Sequence, residues 1–194
     1  GDGWIQATSS ASGLSGFYLS GDFVKTMEGT ETGTPQLIQS IPFLWDVQSS
    51  RSDIVIINPG TSHANVTVNL YNLRGDEQPS IVRDIPAHGI FRFRPSFSFL
   101  VPGAAGASAR VTSSVPVIAM GVADTQDALM FINGQPDQPL TSRIAPHFVA
   151  GNGVDSELVL SNPGTSSVAV TIGLYGTGAT GSTQMASMTA TIPA

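Results

Sequence analysis

Cysteine is absent from the 194 residues. That excludes disulfide staples and thiolate zinc sites, and it suits a bacterial secreted chain as well as a cytosolic one. Charge is scarce too: Asp, Glu, Lys and Arg make up 11% of the chain, against a usual share of about 25%. The surface must therefore be covered largely by Ser, Thr, Asn, Gln and Gly. The 14 acids outnumber the 8 bases, for a net charge of −6, and neither sign is gathered into a tail or a run. Nucleic acid is not expected as a partner, because binding it calls for a clustered cationic face. Long apolar runs are missing as well. VPVIAMGVA at 115–123 is far shorter than the roughly 20 residues that span a bilayer, so no membrane insertion is expected. The chain opens Gly1-Asp2-Gly3-Trp4 rather than with Met, so it reads as either a processed mature chain or a piece cut from a longer one, and any export signal is expected to be gone already.

What is present is a repetition. SDIVIINPGTSHANVTVNLY at 52–71 and SELVLSNPGTSSVAVTIGLY at 156–175 agree at eleven of twenty positions, offset by 104 residues. The hydrophobic share of 41% excludes intrinsic disorder. Each copy reads as a hairpin in which short β-branched runs flank Pro59-Gly60 or Pro163-Gly164. Proline presets φ at the first central turn position and glycine accepts positive φ at the second, so a type II turn is the natural expectation. Val66, Val68 and Leu70 alternate with Thr67, Asn69 and Tyr71, the period expected of a strand with one buried face.

Ser80–Ile85 and Gly89–Arg94 read as two further strands around the bend Pro86-Ala87-His88-Gly89, with Phe91 and Phe93 inward and Arg92 and Arg94 outward. Ala107–Ser113 and Val115–Val122 read as another pair. A turn-rich acidic segment, Ala123–Asp127, follows, and NGQPDQP at 133–139 has loop composition. Nothing sustains helical periodicity over a dozen residues, so the chain is expected to be all-β.

The repetition reaches beyond the hairpins. Gln6-Ala7-Thr8-Ser9-Ser10 matches Arg110-Val111-Thr112-Ser113-Ser114, and Ile41–Leu44 matches Ala145–Phe148, again 104 apart. Thr191-Ile192-Pro193-Ala194 matches Asp84-Ile85-Pro86-Ala87 with three residues inserted. The expected fold is therefore two tandem antiparallel β-sandwich modules with a period of about 104 residues. Two framings are open. Either units run 1–100 and 105–194, or a whole module at 36–139 is flanked by 140–194 and 1–35 as complementary halves of a second sandwich. Unfinished halves would expose unpaired edges and apolar faces. Closure within one chain costs on the order of 4 kcal/mol for a flexible loop of about 100 residues, with exchange between neighbouring molecules as the competitor.

The order of motifs, Asn58-Pro59-Gly60, Val66-Thr67-Val68 to Tyr71, Ile85-Pro86-Ala87, Phe91-Arg92-Phe93, and Arg110–Ser114 leading into Val115-Pro116-Val117-Ile118, resembles the small β-sandwich domain of the sensory-rhodopsin-transducer type. It also resembles related repeats in bacterial secreted proteins of unassigned function. The resemblance implies a compact antiparallel sandwich used for interaction rather than chemistry, often oligomeric, with no catalytic residues to carry over. It favours the framing with a whole module at 36–139.

The residues themselves offer little chemistry. His63, His88 and His147 stand far apart in sequence and would hold a metal only if folding brought them together. No G-x-S-x-G elbow and no spaced His/Asp pair is there to activate a serine. Asp76-Glu77 and Asp124 with Asp127 lack EF-hand spacing, and read as solvated turn acids. Asn65-Val66-Thr67 fits the glycosylation pattern, but its sister Ala169-Val170-Thr171 has lost the Asn. No catalytic, cofactor or metal residues are assigned. Arg92 and Arg94, joined by Arg74 and Arg83, form a candidate interaction surface for an anionic partner; pairing with Asp84 or Glu77 across strands is the alternative. Trp4, Trp45 and Tyr18 are candidates for a carbohydrate platform. Tyr71 and Tyr175 recur at one structural position, as packing residues would. The expected function is a non-catalytic structural or protein-interaction module of a bacterial exported or cell-surface protein. A protein partner or self-association is expected, in an extracytoplasmic location (secreted, periplasmic or cell surface). A carbohydrate-binding module is the runner-up and a hydrolase the third reading.

Overall fold

The structure is a computed structural model and describes residues 3–12, 14–21, 27–47, 50–95, 106–124, 129–137, 140–145, 156–178 and 181–194. The chain divides into two units, Gly1–Val159 and Leu160–Ala194. Among the described residues all regular structure is β-strand and every strand pairing is antiparallel, as the sequence led us to expect. Among the described residues no helix is long and apolar enough to cross a membrane.

The first unit opens with a ribbon of β1 (Phe17–Gly21) and β2 (Met27–Glu31). There follow β3 (Gln36–Val47), β4 (Ser50–Ile57), β5 (Ala64–Asn72), β6 (Ile81–Ile85), β7 (Ile90–Phe93), β8 (Gly106–Asp124), β9 (Leu129–Asn133) and β10 (Gln135–Pro136). One leaf of the sandwich runs β10-β3-β8-β5-β6 and the other β9-β8-β4-β7, so that β8 belongs to both. Its first half, Ala107–Ser113, pairs with β5, while Ile118–Asp124 pairs with β4.

The core follows from strand alternation. Val66, Val68 and Leu70 of β5 face Ala107, Ala109 and Val111 of β8, and Ile41, Leu44, Ile54, Ile56, Val117 and Ala119 complete a cluster in which each is at most 2% exposed. Each buried Val, Leu or Ile contributes roughly 1.5–3 kcal/mol by removal from water. The alanines of β8 keep the central strand thin enough for large side chains to meet over it. Phe91 and Phe93 point inward and stack at 5.1 Å, packed against this core. The ribbon β1–β2 lies on the outer face of the second leaf. Tyr18 contacts Phe131 and Met120 there, and Asn133 Nδ2 donates to Thr30 Oγ1 and to the Glu31 carbonyl.

Four sequence expectations need correcting. First, Ala107–Ser113 and Val115–Val122 are one 19-residue strand, not two. Pro116, with no N–H to offer a ladder, sits where the pairing partners change. The side chain of Gln39, 2% exposed, bridges that point: Nε2 donates to the Val117 carbonyl at 2.6 Å and Oε1 accepts from the Ala119 N–H at 3.1 Å. Second, the Asn58-Pro59-Gly60 segment does not close a hairpin, because β4 pairs with β3, β7 and β8, while β5 pairs with β6 and β8. It is an arch from one leaf to the other. Third, Gly60 does not take positive φ, so the turn is not type II; the Asn58 Oδ1 accepts from the Gly60 N–H at 3.0 Å and sets the bend instead. Fourth, NGQPDQP is not all loop. Gly134 N–H donates to the Ala119 carbonyl and Gln135–Pro136 adds an edge strand to β3, while residues 138 and 139 lie outside the described residues.

The second unit contains β11 (Val168–Gly178) and β12 (Gly181–Ile192), an antiparallel ribbon. The pairing shifts between Leu174 and Tyr175, where the residue passed over is Met185 on β12, so β11 itself runs unbroken.

Candidate interaction surface

Asn58 stands at the join of two arches. The second arch, Pro86–Gly89, carries the chain from β6 to β7, and its Gly89 N–H donates to the Pro86 carbonyl at 2.9 Å. Asn58 N–H donates to the Gly89 carbonyl and His88 N–H to the Gly60 carbonyl, so the arches lie side by side. The fully buried Asn58 side chain then donates to the carbonyls of Ser62 (2.7 Å), Ile85 (3.1 Å) and Pro86 (3.0 Å). His88 holds φ at 57°, a left-handed conformation uncommon outside glycine.

Asn162 repeats three of these side-chain contacts, all but the one to Ile85. Its Nδ2 donates to the carbonyls of Ser166 and Pro193 at 2.8 and 3.0 Å, and its Oδ1 accepts from Gly164 at 3.1 Å. The following strands repeat the register as well. Ala64↔Ile85 through Val68↔Ile81 correspond to Val168↔Ile192 through Ile172↔Met188, at constant offsets of 104 and 107. The likeness is local to these segments. Surroundings differ: Val66, Val68 and Leu70 are buried, whereas Val170, Ile172 and Leu174 are half-buried.

The β11–β12 ribbon is sharply two-faced. The pairs Val170↔Ala190, Ile172↔Met188 and Leu174↔Ala186 put six apolar side chains on one face, while Ala169, Thr171, Gly173, Ser187, Thr189 and Thr191 occupy the other. Met188 is 59% exposed, Met185 69% and Tyr175 61%. Among the described residues β11 has a strand partner on one edge only.

Arg92 and Arg94 do come together. Both Nε atoms donate to Asp53 at 2.7 Å, one to each carboxylate oxygen. Burial pushes the Asp53 carboxyl up, but the hydrogen bonds and charges of Arg94 and Arg92 outweigh it and hold it below the usual carboxylate range. Arg83 stands apart on β6, with its guanidinium 5.5 Å from the centre of the Phe91 ring and Nη1 donating to the Val82 carbonyl. Arg74 lies on the exposed turn after β5. The two acids considered as cross-strand partners are engaged elsewhere, Asp84 with His63 Nδ1 at 2.7 Å and Glu77 with Asn69. Asp53 was missed as the partner of the arginines. The one hint in the sequence was its acidic sister Glu157; the register of β4 on β7, with Val55 opposite Arg92, is what brings Asp53 to the arginines.

The aromatic candidates are dispersed. Trp4 Nε1 donates to the His88 carbonyl at 3.1 Å and its ring stacks with His88 at 6.4 Å. Trp45 packs edge-on to Phe43 at 5.1 Å, and its Nε1 meets Met130 Sδ. Tyr18 contacts Phe131, the next residue on β9, which faces the opposite side of the strand from Met130. Tyr18 and Trp45 thus flank β9 on different faces. Burial pushes the Tyr18 hydroxyl up. Among the described residues no three His, Asp or Glu side chains come together as a metal site would require. His147, Asp127 and the matched positions 146–148 lie outside the described residues.

Comparison with known proteins returned no matching family model and no matching curated sequence. Solved structures do match. The Anabaena sensory rhodopsin transducer aligns with a TM-score of 0.38 and 16% identity, over 45% of this chain and 82% of that one. A structure of Thermotoga maritima 1070 aligns with a TM-score of 0.43 and 15% identity, over 53% of this chain and 95% of that one. The all-β assignment rests on the strand pairings described above.

Proposed function

We propose that the chain is a non-catalytic interaction module of a bacterial exported or cell-surface protein, built from a duplicated β-sandwich and acting through protein association. One observation supports this most directly: the β11–β12 ribbon offers a continuous apolar face and a strand edge without a partner among the described residues, the two features through which β-proteins add partners. A two-stranded ribbon is marginal in water and gains stability when that face is covered. The charge-poor surface, rich in Ser, Thr and Gly, fits an extracytoplasmic setting. The sequence resemblance to sensory-rhodopsin-transducer-type domains and to repeats of bacterial secreted proteins agrees with an assembly role. Sedimentation of the full chain over a wide concentration range tests the proposal. Self-association that is weakened by Met188→Lys supports it. A chain that stays monomeric, and binds glycans on an array in a manner abolished by Trp4→Ala or Trp45→Ala, replaces it with carbohydrate recognition.

A further inference from the structure

We infer that residues 3–9 of a second copy of this chain add as a strand to the edge of β11 that has no strand partner among the described residues. The inference rests on the association reading above and specifies the partner and the register. The starting point is β5, whose equivalent edge is filled. There Val66↔Ser113, Val68↔Val111, Leu70↔Ala109 and Asn72↔Ala107 pair antiparallel, with Thr67 opposite Thr112 and Tyr71 opposite Ser108. The β11 edge is chemically a copy of that edge, displaced by 104 residues and joined to its hairpin partner in the same register.

The segment that fits is also present. Gln6-Ala7-Thr8-Ser9-Ser10 carries the sequence pattern of Arg110–Ser114, the same displacement away. Unlike Arg110–Ser114, it forms no strand, and Ile5, at the position corresponding to fully packed Ala109, is 97% exposed. Shifting the β5–β8 register by the repeat gives Val170↔Ser9, Thr171↔Thr8, Ile172↔Ala7, Gly173↔Gln6, Leu174↔Ile5, Tyr175↔Trp4 and Gly176↔Gly3. Four of the seven pairs are chemically matched. Ile5 and Ala7 join Leu174 and Ile172 on the apolar face, Thr8 meets Thr171 on the polar face, and Trp4 meets Tyr175. The ladder of β11 has no bulge on its own side to break the pairing. Trp4 would exchange its bond with the His88 carbonyl for a place beside the Tyr175 ring. Each copy holds one donor segment and one acceptor edge, so reciprocal exchange between two copies satisfies both and closes a two-fold dimer.

The native chain has no cysteine, which permits a clean test with Thr8→Cys and Thr171→Cys, both at exposed positions. The two single variants are prepared separately, mixed and oxidised, so that a disulfide between them can form only between copies. Thr8→Cys mixed with Thr189→Cys is the register control. Thr189 is opposite Thr171 on β12 and therefore one strand further from the donor, beyond the roughly 7 Å Cα limit for a disulfide. The expected result is a Thr8→Cys/Thr171→Cys heterodimer formed at least about tenfold faster than the control, an effective-concentration advantage of paired strands. Hydrogen exchange at the β11 amides should slow as the native chain is concentrated. Equal rates for the two mixtures overturn the register. A double variant that cross-links only within one chain, with no heterodimer from the mixed singles, overturns the second copy as occupant. If sedimentation shows association while the cross-link is absent, the pairing fails and the module reading stands; a monomer that binds no protein removes both.

Discussion

Replacing Asn58 with alanine should be among the most damaging single changes in the first unit. The side chain makes four close contacts, to the carbonyls of Ser62, Ile85 and Pro86 and from the Gly60 N–H. An amide nitrogen has only two hydrogens, so two of the carbonyls share one, and the net count is three hydrogen bonds. At about 1 kcal/mol each, plus about 1 kcal/mol for a buried carbonyl left without a donor, Asn58→Ala should cost about 3–4 kcal/mol. For a unit of this size that is a fall in Tm of about 6–16 °C. Asn58→Asp keeps shape and acceptor but turns carboxylate oxygen toward carbonyl oxygens, and it should rescue nothing. Asn162→Ala removes three of the same contacts where water can replace them, so its cost should be about 1 kcal/mol. Urea unfolding followed by far-UV circular dichroism, which reads the strands of both units, gives the comparison, with the fluorescence of Trp45 packed on Phe43 as a second reporter for the first unit. An Asn58→Ala protein within about 1 kcal/mol of the parent, or equal losses at both asparagines, would show that burial of the arch bonds is not what gives them weight.

Asp53→Asn should destabilise by about 1–3 kcal/mol at neutral pH, discounted because Arg92 and Arg94 are 36% and 54% exposed. Because the folded carboxyl titrates below its unfolded value, near 3.9, this stability is present above about pH 4 and is lost as pH falls through the folded pKa; denaturation curves of parent and variant should converge in acid, and a gap that persists there would contradict the assignment. Gln39→Leu strands the Val117 carbonyl and the Ala119 N–H inside the sandwich and should cost about 2–4 kcal/mol by thermal denaturation. Gly134→Ala places a Cβ 2.7 Å from the Ala119 carbonyl oxygen, backbone that has little room to yield, and should cost about 1–3 kcal/mol; a neutral outcome in the same assay would mean that the β9–β10 turn can shift.

Strand positions were legible because one face of each strand is apolar and the other is not. Val66, Val68 and Leu70 announce β5, and Phe91-Arg92-Phe93-Arg94 announces both the inward rings and the outward cations of β7. Connectivity was less legible for a physical reason. Pro59-Gly60 says that the chain turns but not which leaf the next strand joins, and that choice is made by Asn58 reaching carbonyls 27 and 28 residues away. Likewise Ser114 reads as a break between two strands, whereas the strand runs on through it, and Gln39, nearly 80 residues distant in sequence, bonds the Val117 carbonyl and the Ala119 N–H where the pairing partners change. The partner of the arginines was hidden in the same manner: Asp53 lies 39 and 41 residues from them, and only the β4–β7 register brings it near.

The long strand common to both leaves has a bearing on how the molecule is made. Until Gly106–Asp124 emerges from the ribosome, β3, β4 and β5 lack their shared neighbour, and only the pairings β1–β2, β3–β4, β4–β7 and β5–β6 can form. Assembly is thus postponed to a late, long-distance threading step of the kind that makes sheet proteins slow. A polypeptide that delays closing its middle stays thin and unfinished for longer.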